Sequence, residues 1–314
     1  MFKRILRASI VLASLSIALL IGAVLLTNWR FPKQSNGELV FAATYKEGIN
    51  LDKIVLTTSD GDISLQKEGG YWVVKEADYY YANTELLNRL LRDFNNSTYY
   101  GEIPFSAEQL KEKALDKDGI QISTFHENKL LDLVTIGKAA EKEGYYFAKP
   151  QGKDEIWLID GNYNLPKEFY SWIMQPISEL PPEIVEKIEI DGKIVKRENP
   201  IQPFLGEEGI SSSASGLADA AAYITAENVL SAQNFDETAY PKQKIIKFTT
   251  FQGLVVEYHL YSDNESHWLK ITLSATPLPK KAVNAYIEDN QIFYDGWYFK
   301  IPNRQGNLLS IISI

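Results

Sequence analysis

The chain has 314 residues and no cysteine, with 45% hydrophobic and 12% aromatic residues and a net charge of −9. Five basic groups and no acidic one fall within the first 33 residues, so the rest of the chain carries 27 basic against 41 acidic residues. That acidic body argues against nucleic acid, whose phosphates demand positive charge, and against lying flat on anionic lipid. The missing thiols leave no disulfide framework and no cysteine-borne lipid anchor.

The first element in chain order is apolar. Ala8 to Thr27, ASIVLASLSIALLIGAVLLT, is interrupted only by serines and one glycine. As a helix rising about 1.5 Å per residue it spans roughly 30 Å, the hydrocarbon thickness of a bilayer. We expect a transmembrane helix over 8–28. Lys3, Arg4 and Arg7 precede it, which places residues 1–7 in the cytoplasm and the body in the periplasm, a single pass through the inner membrane. A cleaved signal peptide is the alternative, but its apolar region is about 7–15 residues and ends at a small-x-small site. Gly22 to Trp29 offers no such site. Ser14, Ala18 and Gly22 share one helix face and would admit a second transmembrane helix.

Residues 29–48 read as a polar linker, with Trp29 and Phe31 at the headgroup level. The ordered body is expected to begin near Leu51, as a first α+β unit over 49–160. Leu51–Leu56, Ile63–Lys67 and Tyr71–Lys75 alternate as strands around Asp60-Gly61 and Gly69-Gly70, an antiparallel meander. Asn83 or Thr84 caps a helix carrying Leu86, Leu87, Leu90, Leu91 and Phe94 at helical spacing, ended by Asn95-Asn96. A short helix starts at Ser106 and closes by Asp118-Gly119. Four further strands follow: Ile120–Phe125, Lys129–Ile136, Tyr145–Lys149 and Glu155–Ile159.

A connector over 161–184 contains an amphipathic piece, Lys167–Ile177, stopped by Pro181-Pro182. Beyond it the chain repeats itself. Glu186–Ile190 echoes Asp52–Leu56, Thr225–Asn228 echoes Ser106–Gln109, and Ile246–Phe251 echoes Ile120–Phe125, at offsets of 134, 119 and 126 residues. Three ordered matches predict a second, diverged α+β unit over 185–314. This copy is expected to lack one hairpin. It would gain a Ser/Ala-rich mobile loop at Glu207–Gly216 before a helix at Leu217–Ile224.

The words of the first unit also resemble a known family. They are the Lys-Ile-x-Leu strand, Gly70 to Val74, the leucine-rich helix, Leu115-Asp116-Lys117, Ile136-Gly137-Lys138, Tyr145-Tyr146, Glu155 to Ile159, and Trp172 before Ile188. Together they resemble the domain-of-unknown-function family numbered 4340, over roughly Leu51–Glu198. Here Ala114 stands where that family's Gly-Leu-Asp-x-Pro turn has glycine, and Asp118 where it has proline. The resemblance implies a bacterial, single-pass, extracytoplasmic protein, some of whose relatives are encoded beside auxiliary parts of an ABC-type transport system linked to gliding. It supplies no catalytic residues.

Chemistry is sparse. Glu257, His259 and His267 make a three-ligand metal site on paper, against which stands a plain polar sheet face. Asp116, Asp118 and Gly119 imitate part of a calcium loop, but Ala114 and Phe125 occupy its first and twelfth positions. Ser211–Ser213 lack a nucleophile-elbow setting. No metal, cofactor or catalytic constellation is therefore expected. Aromatics crowd both units, and most belong to sheet packing. Tyr79, Tyr80 and Tyr81 are three consecutive rings that cannot all be buried, and we read them as a binding surface.

The expectation is an α+β protein: an N-terminal transmembrane helix, then two repeated units of antiparallel sheet with one or two helices each. Its role would be a non-catalytic interaction or scaffold protein contacting the bilayer through 8–28 and another envelope or transport-system membrane protein. The alternative is an extracytoplasmic ligand-binding protein or enzyme acting on envelope carbohydrate or peptide.

Overall fold

The computed structural model describes residues 37–103, 106–263, 265–312 and 314. The expected cytoplasmic segment 1–7 and transmembrane helix 8–28, with Ser14, Ala18 and Gly22, lie outside the described residues. Among the described residues, no helix is long and apolar enough to cross a membrane. The described residues form two compact units, one comprising those up to Ser64 with Glu85–Lys167, the other Leu65–Thr84 with Glu168–Ile314. Both are mixed α+β structures built on large antiparallel sheets.

In the first half of the chain the order is α1 (Ala42–Glu47), β1 (Lys53–Thr58), β2 (Gly61–Glu68), β3 (Tyr71–Val74), β4 (Tyr80–Tyr81), α2 (Thr84–Asn96), β5 (Tyr99–Ile103), α3 (Ala107–Glu112), β6 (Ile120–His126), β7 (Lys129–Ala139), β8 (Tyr145–Pro150) and β9 (Ile156–Asp160). The predicted hairpins and the α2 helix stand within a few residues of expectation, whereas α3 stops at Glu112, well before the Asp118-Gly119 turn. The α2 helix buries Leu87, Leu90 and Phe94, the stripe its spacing announced. Ser106 caps α3 by accepting the Gln109 N–H at 3.1 Å. The strand β5 was not foreseen.

Residues 38–47, expected as linker, are part of the first unit. Leu39 bridges Thr98, and Phe41 is fully buried with its ring 4.4 Å from that of Phe94. The Thr44 N–H and hydroxyl both donate to Asp132 Oδ2 at 2.7 Å. These contacts are single and long-range, so no local period announces them.

The second half runs β10 (Ser178–Glu179), β11 (Val185–Ile190), β12 (Lys193–Lys196), β13 (Leu205–Gly206), β14 (Gly209–Ile210), α4 (Ser212–Ala221), β15 (Tyr223–Ile224), β16 (Asn228–Ser231), β17 (Lys242–Thr250), β18 (Leu254–Ser262), β19 (His267–Ala275), α5 (Lys281–Asn290), β20 (Trp297–Ile301) and α6 (Asn303–Ile311). The piece Lys167–Ile177 does bury Trp172, Ile173 and Ile177, but as one 3-10 turn over Phe169–Ser171 and extended chain. The stretch expected as a mobile loop is instead the β13–β14 hairpin and the start of α4, whose cap Ser211 accepts the Ala214 N–H at 3.2 Å. No hairpin is missing; its strands of two residues are too short to show alternation.

The two sheets have the same strand order. The first reads β4-β3-β2-β1-β6-β7-β8-β9-β5 and the second β14-β13-β12-β11-β17-β18-β19-β20-β16. Two of the three sequence echoes fall on corresponding strands, β1 with β11 and β6 with β17. The third does not: Ser106 opens a helix, whereas Thr225–Asn228 leads into strand β16. One face of the second sheet buries Ile188, Ile246, Tyr258, Leu269 and Phe299, with α6 touching β18, β19 and α4. A smaller aromatic cluster holds Phe235, Tyr261, Trp268 and Tyr298.

Candidate functional site

The segment between β3 and β4 belongs to the second unit. Its turn places two consecutive non-glycine residues, Asp78 and Tyr79, in the left-handed region at φ 54° and 66°, a conformation that costs of order 1 kcal/mol each unless held from outside. Asp78 supplies the hold. Its carboxylate accepts the Ser231 N–H at 2.7 Å and the Asn234 amide at 2.7 and 2.8 Å. Ser231 is an outward-facing donor of the edge strand β16; the next one along, the Val229 N–H, is taken by Asn228 Oδ1 at 2.8 Å.

Burial pushes the Asp78 carboxyl up, but the hydrogen bonds from Ser231 and Asn234 outweigh it and hold the group below its ordinary value of 3.8. The sign follows: the stabilisation is present above pH ~4 and is lost as pH falls through the lowered native value. We expect Asp78→Asn to lose about 1 kcal/mol at neutral pH, the low end for a charged acceptor because the group is partly exposed. Denaturant melts at a series of pH values should show the gap to the wild type closing below pH ~4. A gap that persists at low pH would mean another group carries it.

Tyr80 corrects the sequence reading, which placed it on the surface. It is fully buried, donates its hydroxyl to the Phe293 carbonyl at 3.1 Å, and meets Trp297 and Phe299 edge-on at 5.1 and 5.3 Å. Burial raises its phenol well above the usual range. A two-residue strand directed into the second unit buries one ring and turns its neighbours out. Tyr81 is half-buried, edge-on to Phe293 at 4.9 Å and to Tyr71 at 5.3 Å. Tyr71 and Tyr79 are 47% and 38% exposed. The result is an aromatic shelf, Tyr71, Tyr81, Phe293 and Trp297, fixed from beneath by Tyr80, with Tyr79 exposed at the adjoining turn. Sequence reasoning noted Trp297 as one of a crowd but had no signal that it meets Tyr80.

The paper metal site does not assemble. Glu257 accepts from Lys247 at 2.9 Å and lies 3.5 Å from His259 Nε2. His259 pairs across the strands with Lys270, so His267, three residues before Lys270, points through the opposite face. There it is buried, with Nε2 2.9 Å from Asn307 Oδ1. Among the described residues no group of three or more side chains could hold a metal ion. Burial first, then Lys242 and Lys270, outweigh Glu257 and lower the His259 pKa from 6.5. The neighbouring groove, about 430 Å³, is lined by Glu189, Lys242, Lys244, Lys247 and Glu257. Lys244 is already committed to the Ser310 and Ile312 carbonyls at 2.7 and 2.8 Å. Asp116 accepts the Asp118 N–H at 3.3 Å, a turn contact.

Fold and site together define an antiparallel α+β protein carrying an exposed aromatic shelf. The chain belongs to the family of the domain of unknown function DUF4340, whose model matches residues 72–236, just over half of it. That span begins and ends later than Leu51–Glu198, the stretch that carries the resemblance. No curated protein and no solved structure matches the chain.

Proposed function

We propose that the chain is a single-pass membrane protein, anchored through residues 8–28, whose periplasmic body of two repeated α+β units captures another envelope protein on the aromatic shelf. The observation that carries this reading is the shelf itself. Its rings already pack on one another, exposed Tyr71 edge-on to Tyr81 and Tyr81 edge-on to Phe293. Tyr81 and Trp297 rest on buried Tyr80, so little side-chain freedom in these rings remains to be lost on binding. Tyr and Trp dominate the residues that carry interface energy. The common strand order of the two sheets supports the duplication. The anchor is supported by the apolar run and the basic residues before it. The role is binding without catalysis or cofactor, and the family resemblance suggests a membrane subunit of an ABC-type transport system as the partner.

The test is capture from detergent-solubilised membranes by the full chain. The double variant Tyr71→Ala/Tyr79→Ala should retain about tenfold less transport subunit than the wild type, with Tm changed by less than about 2 °C because both rings are exposed. Equal retention by the variant removes the shelf from the account. Thermal stabilisation of the wild type by envelope sugars or peptides would put the ligand-binding alternative in its place.

A further inference from the structure

We propose that the face of the second sheet opposite its main core binds a phosphate monoester group, held between the Lys242 and Lys270 ammoniums and the His259 imidazole.

Strand register brings the three together. His259 of β18 stands directly opposite Lys270 of β19, and Tyr261 opposite Trp268. Residues two apart on a strand share a face, so all four lie on one side of the sheet. On β17, Ile245 opposes His259, and regular alternation would bring Gln243 opposite Tyr261. A bulge between Lys242 and Lys244 shifts the register and sets Lys242 there instead. Bulges recur beside functional sites, where they re-aim a side chain. The two ammoniums then stand near adjacent rings. Lys242 Nζ is 5.6 Å from the centre of Tyr261 and Lys270 Nζ 5.4 Å from that of Tyr298, and the two ring centres are 5.3 Å apart. Contact with a ring face holds each charge in place without neutralising it.

No carboxylate neutralises them either. Glu257 accepts from Lys247 at 2.9 Å, and Glu237 accepts the Tyr298 hydroxyl at 2.5 Å. Among the described residues, neither Lys242 nor Lys270 forms an ion pair. In a chain whose 41 acidic residues outnumber its 32 basic ones, two converging ammoniums without a carboxylate leave a local positive field that an anion offsets. His259 adds a third group. Its Nε2 lies 3.5 Å from both Glu257 Oε2 and Thr272 Oγ1, the long limit of a hydrogen bond, so it is weakly held. A phosphate monoester brings about two negative charges and three acceptor oxygens, which matches two ammoniums and an imidazole; a carboxylate brings one charge. The groove of about 430 Å³ lined by Lys242, Lys247 and Glu257 gives room for the rest of such a molecule. The inference does not depend on what binds the shelf.

The chain has three histidines, His126, His259 and His267, so carbon-13 labelling of the full chain in non-ionic detergent gives three imidazole signals. His259→Gln assigns the one of interest. The charged groups around that ring are Lys242 and Lys247 of β17, Glu257 of β18 and Lys270 of β19. Millimolar inorganic phosphate should move the His259 signal and raise its titration midpoint, because a bound anion favours the imidazolium. Acetate or chloride at equal ionic strength should not. His267, buried on the opposite face, should keep its position and reports that the sheet is intact. Lys242→Gln/Lys270→Gln should bind phosphate about tenfold more weakly, while Lys242→Arg/Lys270→Arg retains the response. A response to free phosphate identifies a soluble ligand; a response only to phosphatidic acid mixed into the micelles identifies a lipid headgroup. A His259 signal indifferent to both, a Gln double variant that binds as the wild type does, or acetate as effective as phosphate overturns the proposal. None of these outcomes touches shelf binding, which the Tyr71→Ala/Tyr79→Ala variant reads separately.

Discussion

Tyr80→Ala is expected to destabilise the second unit by about 3–5 kcal/mol, the range for removing a buried ring. The side chain has no solvent exposure. Its ring meets Trp297, Phe299 and Tyr81, so truncation leaves a void walled by aromatics that cannot collapse together. Tyr80→Phe keeps the volume and loses only the hydroxyl's bond to the Phe293 carbonyl, a change of about 1 kcal/mol. Denaturant titration followed by near-ultraviolet dichroism should rank wild type, Tyr80→Phe and Tyr80→Ala in that order. A wild-type midpoint for Tyr80→Ala would show that the second unit does not depend on this ring.

The second large effect is expected at Gly137, on β7 of the first unit. A Cβ there would overlap the Lys113 carbonyl oxygen, which also accepts the Lys138 N–H at 2.9 Å. The obstacle is backbone at the end of α3 and cannot swing aside, so Gly137→Ala should cost about 3 kcal/mol. Gly216 is the internal control. It sits in α4 with nothing near its missing Cβ, and there the same substitution should stabilise by about 0.5–1 kcal/mol. Thermal melts that move both variants the same way would refute the steric account.

These two positions also show what the sequence makes legible. Gly137 stood within Ile136-Gly137-Lys138, a word of the family resemblance, but its reason is a carbonyl on a helix that ends 25 residues earlier. The Asp-Gly and Gly-Gly turns and the leucine stripe of α2 act locally, so they could be read directly. The strands β13 and β14 could not, being two residues long, and β5 was missed although its aromatics were noted. Tyr80 receives its burial from a partner 213 residues away, which no local pattern encodes. The common strand order of the two sheets was legible in part through the echoes at β1/β11 and β6/β17. The third echo misled because a cap signal before a helix and the approach to a strand share the same small polar residues. Of the candidate site, the run Tyr79–Tyr81 was named from the sequence but with Tyr80 placed on the surface, whereas it is buried; the contacts with Trp297, Phe293 and Asp78 had no local signal.

The side chains of Asn228 and Asp78 have a consequence for how the protein survives at high local concentration. Their oxygens occupy the outward N–H groups of Val229 and Ser231, so the last strand of the second sheet offers no free donor at either position to a stray β-segment. Runaway stacking in the manner of a fibril is thereby blocked at that border. Asp78→Ala would unseal it, turning a quiet margin of the molecule into a nucleus for insoluble deposits.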